Sequence, residues 1–304
     1  MHKFQKPFVF LMGGFLIVLI SLLAFSRQWR QVKRGIGFGI SGMAIAQQPL
    51  SWISCPPNAC FLVVHDNKNP GEGRVALISL EGDNSPEYFP LSWPPNAAYP
   101  VDLESLTTVP FGTTPSFMAA SSNGTVYHFQ LVPDRAVELL EVFTLPEVDP
   151  EANLEGFALQ EVDGQLLAVW AHRGQDEDPG ILYWGSFDPT TYRVSLHGST
   201  IIRVPWPEND VRHISDIKVN PTGILYLSSA TDPGDEGPFT SAVYVVGMFQ
   251  LQGDRFGFQG NSSLVPLHRL PGHKVEAIEL LPGISGIILG TDDEIAGSSI
   301  FLKW

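Results

Sequence analysis

Five short apolar segments of the chain each carry a polar residue at the same place, and these residues could together bind a cation. In four of the segments a second polar residue stands two positions earlier. The repeated positions are Ser41, Glu104, Glu155, Ser215 and Glu276, and the earlier ones are Asp102, Asn153, His213 and Lys274. Carboxylate and other oxygen ligands are those that Ca²⁺ prefers. If the segments converge, Glu104, Glu155 and Glu276 are candidate metal ligands and Ca²⁺ is the candidate cofactor.

Acidic residues also cluster in the loops that follow the next apolar segment of four repeats. These are Asp66 and Glu72, then Asp176, Glu177 and Asp178, then Asp232, Asp235 and Glu236, then Asp292, Asp293 and Glu294. Carboxylates gathered at one opening favour a hard cation or a basic partner. A water-filled channel would also be lined by polar residues, and acidic loops are often simply solvated, so the sequence is compatible with both interpretations.

Other patterns give no recognisable nucleophile. The chain has no G-x-S-x-G, no H-E-x-x-H and no P-loop motif. The G-x-G-x-x-G spelling at residues 37–42 follows a basic flank and precedes no helical pattern, so it does not indicate a dinucleotide site. His65 with Asp66 could form an acid–base pair, but a histidine in such a place is also typical of a hydrogen-bonded structural residue.

The elements that would position these residues form five repeats. Taking the five repeated polar residues as equivalent gives spacings of 63, 51, 60 and 61. Each repeat has a short first strand, a very apolar second strand, a third strand and, in four repeats, a fourth, which in the fourth repeat is placed at Ser263–His268. The fifth repeat lacks its fourth strand, and residues 31–36 are free to supply it beside residues 299–303.

This organisation predicts an all-β protein, a β-propeller of five four-stranded blades over residues 31–304. Closure of the ring would remove two open sheet edges. Two packed β-sandwiches are the alternative, but a sandwich does not require a recurring polar position on every fourth strand.

Three motifs resemble one group of propellers. They are Ser-Gly-Met at residues 41–43 with Glu-Gly-Phe at 155–157, FLVVHDNK at 61–68, and GTDDE at 290–294. The chain is similar to phytase-like ("esterase-like activity of phytase") proteins and, more weakly, to the SdiA-regulated family. The resemblance implies a secreted or anchored propeller and a calcium-dependent phosphoesterase activity. A full set of phytase calcium or phosphate ligands is not matched, and the scarcity of Lys and Arg in the repeats argues against a phosphate cleft.

Charge is unevenly distributed along the chain. The first 34 residues hold six Lys and Arg and no acidic residue, whereas the rest holds 12 basic and 32 acidic side chains, a net charge of −20. A surface this acidic repels phosphate, which excludes nucleic acid as the default partner.

Residues 1–30 are predicted to be a membrane anchor. Residues 8–25 form an apolar run, which as a helix is about 27 Å long and just spans a bilayer core. Basic residues flank both ends, so they do not fix the orientation. A cleaved signal peptide is the alternative, because Ala24-Phe25-Ser26 offers a cleavage site, but the run is longer than a usual signal core.

The two cysteines are informative about the cellular compartment of the domain. Cys55 and Cys60 flank four residues between the first two predicted strands, a spacing that allows a disulfide but is equally compatible with two ordinary thiols. A bridge needs an oxidising compartment, which with the anchor favours a single-pass protein with its domain in the periplasm or thylakoid lumen.

The sequence favours an exoplasmic binding or assembly module with a protein partner. The alternative is a calcium-dependent phosphoesterase or lactonase-like hydrolase that uses the carboxylate-lined channel.

Overall fold

The computed structural model describes residues 29–46, 52–53, 55, 59–149, 153–283 and 286–303. The predicted membrane span at residues 8–25 lies outside this part of the chain. Among the described residues, no helix has both the length and the apolar character needed to cross a bilayer.

The described residues form five antiparallel sheets arranged as the blades of a propeller, so the predicted fold class is confirmed. After β1 (Arg30–Lys33), the first blade consists of β2 (Gly42–Ile45), β3 (Cys60–Val64), β4 (Val75–Ser79) and β5 (Glu87–Leu91). The second blade consists of β6 (Leu103–Thr108), β7 (Phe117–Ser121), β8 (Thr125–Val132) and β9 (Ala136–Thr144).

The remaining three blades repeat this order. The third contains β10 (Leu154–Val162), β11 (Gln165–His172), β12 (Gly180–Asp188) and β13 (Arg193–Ile202). The fourth contains β14 (Val211–Val219), β15 (Ile224–Thr231), β16 (Thr240–Gln252), β17 (Arg255–Gly260) and β18 (His268–Pro271). The fifth contains β19 (Val275–Leu280), β20 (Ile287–Thr291) and β21 (Ser298–Lys303), with β1 as its outer strand.

The ring closes as the sequence predicts. Strand β1 pairs antiparallel with β21, with Arg30 opposite Ile300 and Lys33 opposite Ser298. Strand β1 ends at Lys33, before the predicted end at residue 36. Gly35 takes a positive φ of 106°, and the chain then enters a 3₁₀ helix at Ile36–Phe38. The first and last parts of the described chain therefore share one sheet, and no blade is left open.

The fourth blade corrects the prediction of an outer strand at Ser263–His268. Strand β16 is 13 residues long, and two separate strands pair with it: β17 with its second half and β18 with its first. The β17 hairpin is held because Phe258 packs on Phe249, with ring centroids 4.7 Å apart.

The apolar second strands are buried on both faces between neighbouring blades. Trp170 of β11, for example, is fully buried and packs with Phe157 and Met118 between the second and third blades. Burial on both sides explains why these strands are continuously apolar rather than alternating. The result is a rigid frame that holds the five first strands around one axis.

The loop between β2 and β3 carries the predicted disulfide. Cys55 and Cys60 are bonded, with their Cα atoms 5.4 Å apart, a separation ordinary for a disulfide. The disulfide prediction is confirmed; the compartment inferred from it stays a prediction.

Candidate functional site at the channel mouth

A β-bulge positions the repeated polar residue of each glutamate-bearing blade. The register between first and second strands slips between Leu103 and Ser105, and again at the same place in the third and fifth blades. The extra residues are Glu104, Glu155 and Glu276. A bulge re-aims a side chain out of the alternation of the sheet, so the predicted equivalence of these residues has a structural basis.

Arg212 joins three blades across the mouth of the channel. Its Nη1 lies 2.8 Å from Oε1 of Glu276 and 3.5 Å from Oε1 of Glu155. Its Nη2 donates a hydrogen bond to Oδ2 of Asp232 at 2.6 Å. Arg173 adds a second cation at 3.3 Å from Glu155. Glu155 and Glu276 are buried, so these ion pairs are shielded from solvent.

Lys274 forms the second part of this network, which we call the axial ion network (Glu155, Arg173, Arg212, Asp232, Lys274, Glu276 and Glu294). Its Nζ lies 3.2 Å from Oε1 of Glu276 and 3.7 Å from Oδ1 of Asp232, and it also pairs with Glu294. Burial lowers the pKa of Lys274, but the surrounding carboxylates, Glu276 first, outweigh that effect and hold it above its usual range. Lys274 is therefore a fixed cation and not a general base.

Burial also shifts the pKa of Glu155, the glutamate of the third blade. It raises the pKa of Glu155 to about 7, against the opposing charge of Arg212. Glu276 adds a like charge that raises the pKa further.

A separate group of carboxylates lies on the other side of the mouth. Asp66, Asp102 and Glu104 each place one oxygen within 4.8 Å of the others, and we call them the acidic trio. The trio has one direct cationic partner among the described residues, the largely exposed Lys68, whose Nζ lies 3.0 Å from Asp102. Ser122 also donates a hydrogen bond to Asp102 at 2.6 Å.

The charges of the acidic trio are poorly compensated. Burial raises the pKa of Asp66 to about 6, and the neighbouring charges of Glu276 and Asp102 raise it further. Burial, followed by the charge of Glu155, holds the pKa of Glu104 well above its usual range. A divalent cation among these oxygens would remove that repulsion, so the trio fits a site for Ca²⁺.

Asp292 extends this acidic side of the mouth. A Cβ at position 39 would lie 2.2 Å from the Asp292 carboxyl carbon, so only glycine leaves room for it. Burial and the charges of Glu276 and Asp66 raise the pKa of Asp292 well above its ordinary value.

The structure therefore separates the predicted ligands. Glu104, Glu155 and Glu276 do not form one metal-sized cluster in the described part of the chain; Glu104 lies with Asp66 and Asp102, while the other two face Arg212. Lys274 joins the axial ion network as a neutralising cation.

Four predicted lining residues have structural roles or buried polar atoms without a hydrogen-bond partner among the described residues. His213 hydrogen-bonds the Asp176 carbonyl and accepts from the Val204 amide, so it links backbone segments. The hydroxyls of Ser41 and Ser215 are buried with no hydrogen-bond partner among the described residues, and the same holds for Oδ1 of Asn153.

The proposed acid–base pair of His65 and Asp66 is absent. His65 is fully buried, with Nδ1 at the Gly39 carbonyl and Nε2 at 3.0 Å from the Tyr88 hydroxyl. Burial lowers its pKa to about 4. His65 is a structural residue.

Comparison with known proteins supports the fold alone. No protein-family model matches the chain, and no curated protein matches it. Among solved structures, the GH43 endo-arabinanase from Bacillus licheniformis matches with a TM-score of 0.52 and 12% identity, over 90% of this chain and 95% of that one. An exo-1,5-α-L-arabinanase from a bovine ruminal metagenomic library matches with a TM-score of 0.53 and 10% identity, over 90% and 94% of the two chains.

Proposed function

We propose that the chain is a membrane-anchored, exoplasmic β-propeller that acts as a binding module. One observation carries this proposal: the charged groups nearest the axis neutralise one another. Arg212 and Lys274 occupy the oxygens of Glu155 and Glu276, which are buried. Carboxylates held in this way are poor nucleophiles and bases, whereas a charge-compensated centre that links three blades suits a scaffold that presents its loops to a partner.

The acidic trio gives this module a place for Ca²⁺. Asp66 follows β3 and Asp102 precedes β6, so a cation held by them and by Glu104 would tie the first blade to the second. The net charge of −20 beyond residue 34 suits a basic protein partner.

The second candidate is a calcium-dependent hydrolase, and the grouping of three carboxylates in the acidic trio favours it. The two arabinanases named above are hydrolases on the same fold. In this candidate Ca²⁺ held by the acidic trio would polarise the substrate and lower the pKa of a water molecule bound to the ion.

Two measurements on the full chain test the proposal. Alkaline carbonate extraction of membranes from expressing cells should leave the protein in the pellet; release into the supernatant would contradict the anchor. The purified protein with Ca²⁺ should not hydrolyse p-nitrophenyl phosphate, p-nitrophenyl acetate or p-nitrophenyl α-L-arabinofuranoside. Hydrolysis of any of them that disappears in Glu104→Gln but persists in Glu155→Gln would replace the binding module with the hydrolase.

A further inference from the structure

A cavity lies at the opposite end of the first strands from the acidic trio. It has a volume of about 730 Å³ and is lined mainly by the last residues of the first strands and the loops that follow them, with Tyr226 and Ile287 contributed by second strands. Ile45, Thr108, Gln160, Asn220 and Leu281 represent the five blades in this lining. The volume lies in the range of roughly 300–1,000 Å³ that small-molecule sites occupy.

Charge in the cavity lining is already compensated. Lys218 crosses the channel from the fourth blade, where its Nζ donates to the Leu106 carbonyl of the second blade and lies 3.7 Å from Asp216. Glu279 accepts from the backbone amides of Leu280 at 2.8 Å and Ile45 at 3.3 Å. Because the side chains that could pair with a ligand ion are occupied, burying a charged ligand here would cost free energy.

Hydrogen-bonding capacity for a neutral ligand remains. Thr108 and Tyr226 are lining residues of the cavity, and within the described part of the chain neither hydroxyl has a hydrogen-bond partner. Beside them the wall is apolar, with Leu159, Leu280 and Ile287. A wall of this kind matches a molecule with a hydroxylated end and a hydrocarbon part.

The cavity opens at the end of the propeller from which the predicted anchor departs. In the fifth blade, Lys303 pairs with Ile287 and Ile287 pairs with Leu280, two residues of the cavity wall. Strand β1 is antiparallel to β21, so the chain before Arg30 runs toward that same end. Four residues separate Arg30 from the apolar run, a reach of at most about 14 Å.

We infer that this cavity binds an uncharged amphiphile with a hydroxylated head, drawn from the membrane to which the domain is attached. The head contacts the hydroxyls of Thr108 and Tyr226, and the hydrocarbon lies along Leu159, Leu280 and Ile287. The chemistry of the ligand rests on the cavity alone, whereas its membrane source rests on the proposed anchor.

The test uses the full chain in phosphatidylcholine nanodiscs and follows hydrogen–deuterium exchange of the peptides around residues 105–110, 158–162, 217–222 and 278–283. Octyl β-glucoside below its critical micelle concentration should slow exchange in these peptides about threefold at about twice its Kd. Octanoate and octyltrimethylammonium, with the same chain length but charged heads, should not. Monooleoylglycerol placed in the nanodisc bilayer should protect the same peptides.

Two matched variants locate the effect. Thr108→Trp fills the cavity and should abolish protection, whereas Thr144→Trp, at an exposed end of β9, should retain it. Equal protection by all three octyl compounds, no protection by octyl glucoside, or protection that survives Thr108→Trp would overturn the cavity site. Protection by octyl glucoside but not by bilayer monooleoylglycerol would overturn the membrane as the source, and carbonate extraction separately reports whether the anchor itself holds.

Discussion

Nη1 of Arg212 lies 2.8 Å from Oε1 of Glu276, although the two residues are 64 positions apart and belong to neighbouring blades. The same nitrogen also faces Glu155 of the third blade. One guanidinium thus links three blades at the axis, and its removal would leave buried carboxylates with fewer compensating charges.

The first prediction concerns this link. Arg212→Met should destabilise the fold by about 3–5 kcal/mol, because breaking one partner out of a buried ionic network leaves uncompensated charge. The midpoint of chemical denaturation at pH 7.5 measures the effect. Arg193→Gln, at an exposed position of β13, is the control and should change stability little. Similar stabilities for the two variants would show that the network does not support the fold.

The sequence predicts the fold more completely than it predicts the site. Repeat spacing and unbroken apolar second strands predict five blades, because each repeat must bury both faces of its sheet. The acidic residues of the trio were also visible as first-strand and loop carboxylates. Arg212 was missed because it stands one residue before His213, and only the bulge decides which of them reaches the axis.

A second group of buried charges was missed for a related reason. Asp216, Lys218 and Glu279 lie within strands whose neighbours are apolar, and they look like isolated exceptions in sequence. Their partners include backbone groups of other blades, such as the Ile278 amide that donates to Asp216 at 2.8 Å. Burial raises the pKa of Asp216 to about 7. Contacts of this kind depend on the closed ring, which no local pattern encodes.

The second prediction is a pH dependence set by Asp66. Folded Asp66 keeps its proton up to about pH 6, mainly because of burial, whereas its ordinary pKa is 3.8. Between these values the unfolded chain binds fewer protons, so this group's contribution makes stability fall as pH rises. Asp66→Asn should flatten that fall in Tm between pH 4 and 6.5. A fall as steep as in the wild type would remove Asp66 as its cause.

Asp188 is the control for Asp66, because its pKa is shifted in the opposite direction. Hydrogen bonds from Thr191 and Thr190 hold its pKa below the ordinary value, and it is exposed. Its contribution is present above the ordinary pKa and is lost as pH falls through the lowered one. Asp188→Asn should therefore alter only the acid side of the profile and leave the fall between pH 4 and 6.5 unchanged.

The third prediction separates the two kinds of channel glutamate. Ca²⁺ should raise the Tm of the wild type by about 5 °C at 100 times its Kd, since a ligand of the folded state stabilises it by about 2.7 kcal/mol. Glu104→Gln should lose most of this shift, because the amide keeps an oxygen but not the charge. Glu155→Gln should retain it, because Arg212 and Arg173 already face that carboxylate. Loss of the shift in both variants, or in neither, would contradict a site at the acidic trio.

The fourth prediction concerns the disulfide. Cys55 and Cys60 close a short loop, for which the chain-entropy relation gives a stabilisation of about 2 kcal/mol. Protein purified from its native membrane without reductant should show no alkylation at either residue by mass spectrometry. Modification of both thiols before reduction would place the domain in a reducing compartment, and Cys55→Ser with Cys60→Ser would then leave the Tm unchanged.

The last prediction concerns closure of the ring by β1. Arg30 donates to the Gly82 carbonyl at 2.6 Å in the turn after β4, so this short strand contacts the first blade as well as the fifth. The ring centroids of Trp29 and Phe301 are 5.1 Å apart.

A chain that begins at residue 35 loses these contacts and exposes the edge of β21, whereas one that begins at residue 27 keeps them. The shorter chain should melt about 10 °C lower, which corresponds to a loss of several kcal/mol in a domain of this size. It should also aggregate at lower concentration, because an unpaired strand edge is a template for association. Equal melting temperatures for the two truncations, measured at the same protein concentration, would show that the fifth blade does not need β1 and that the ring is held by contacts between the other strands.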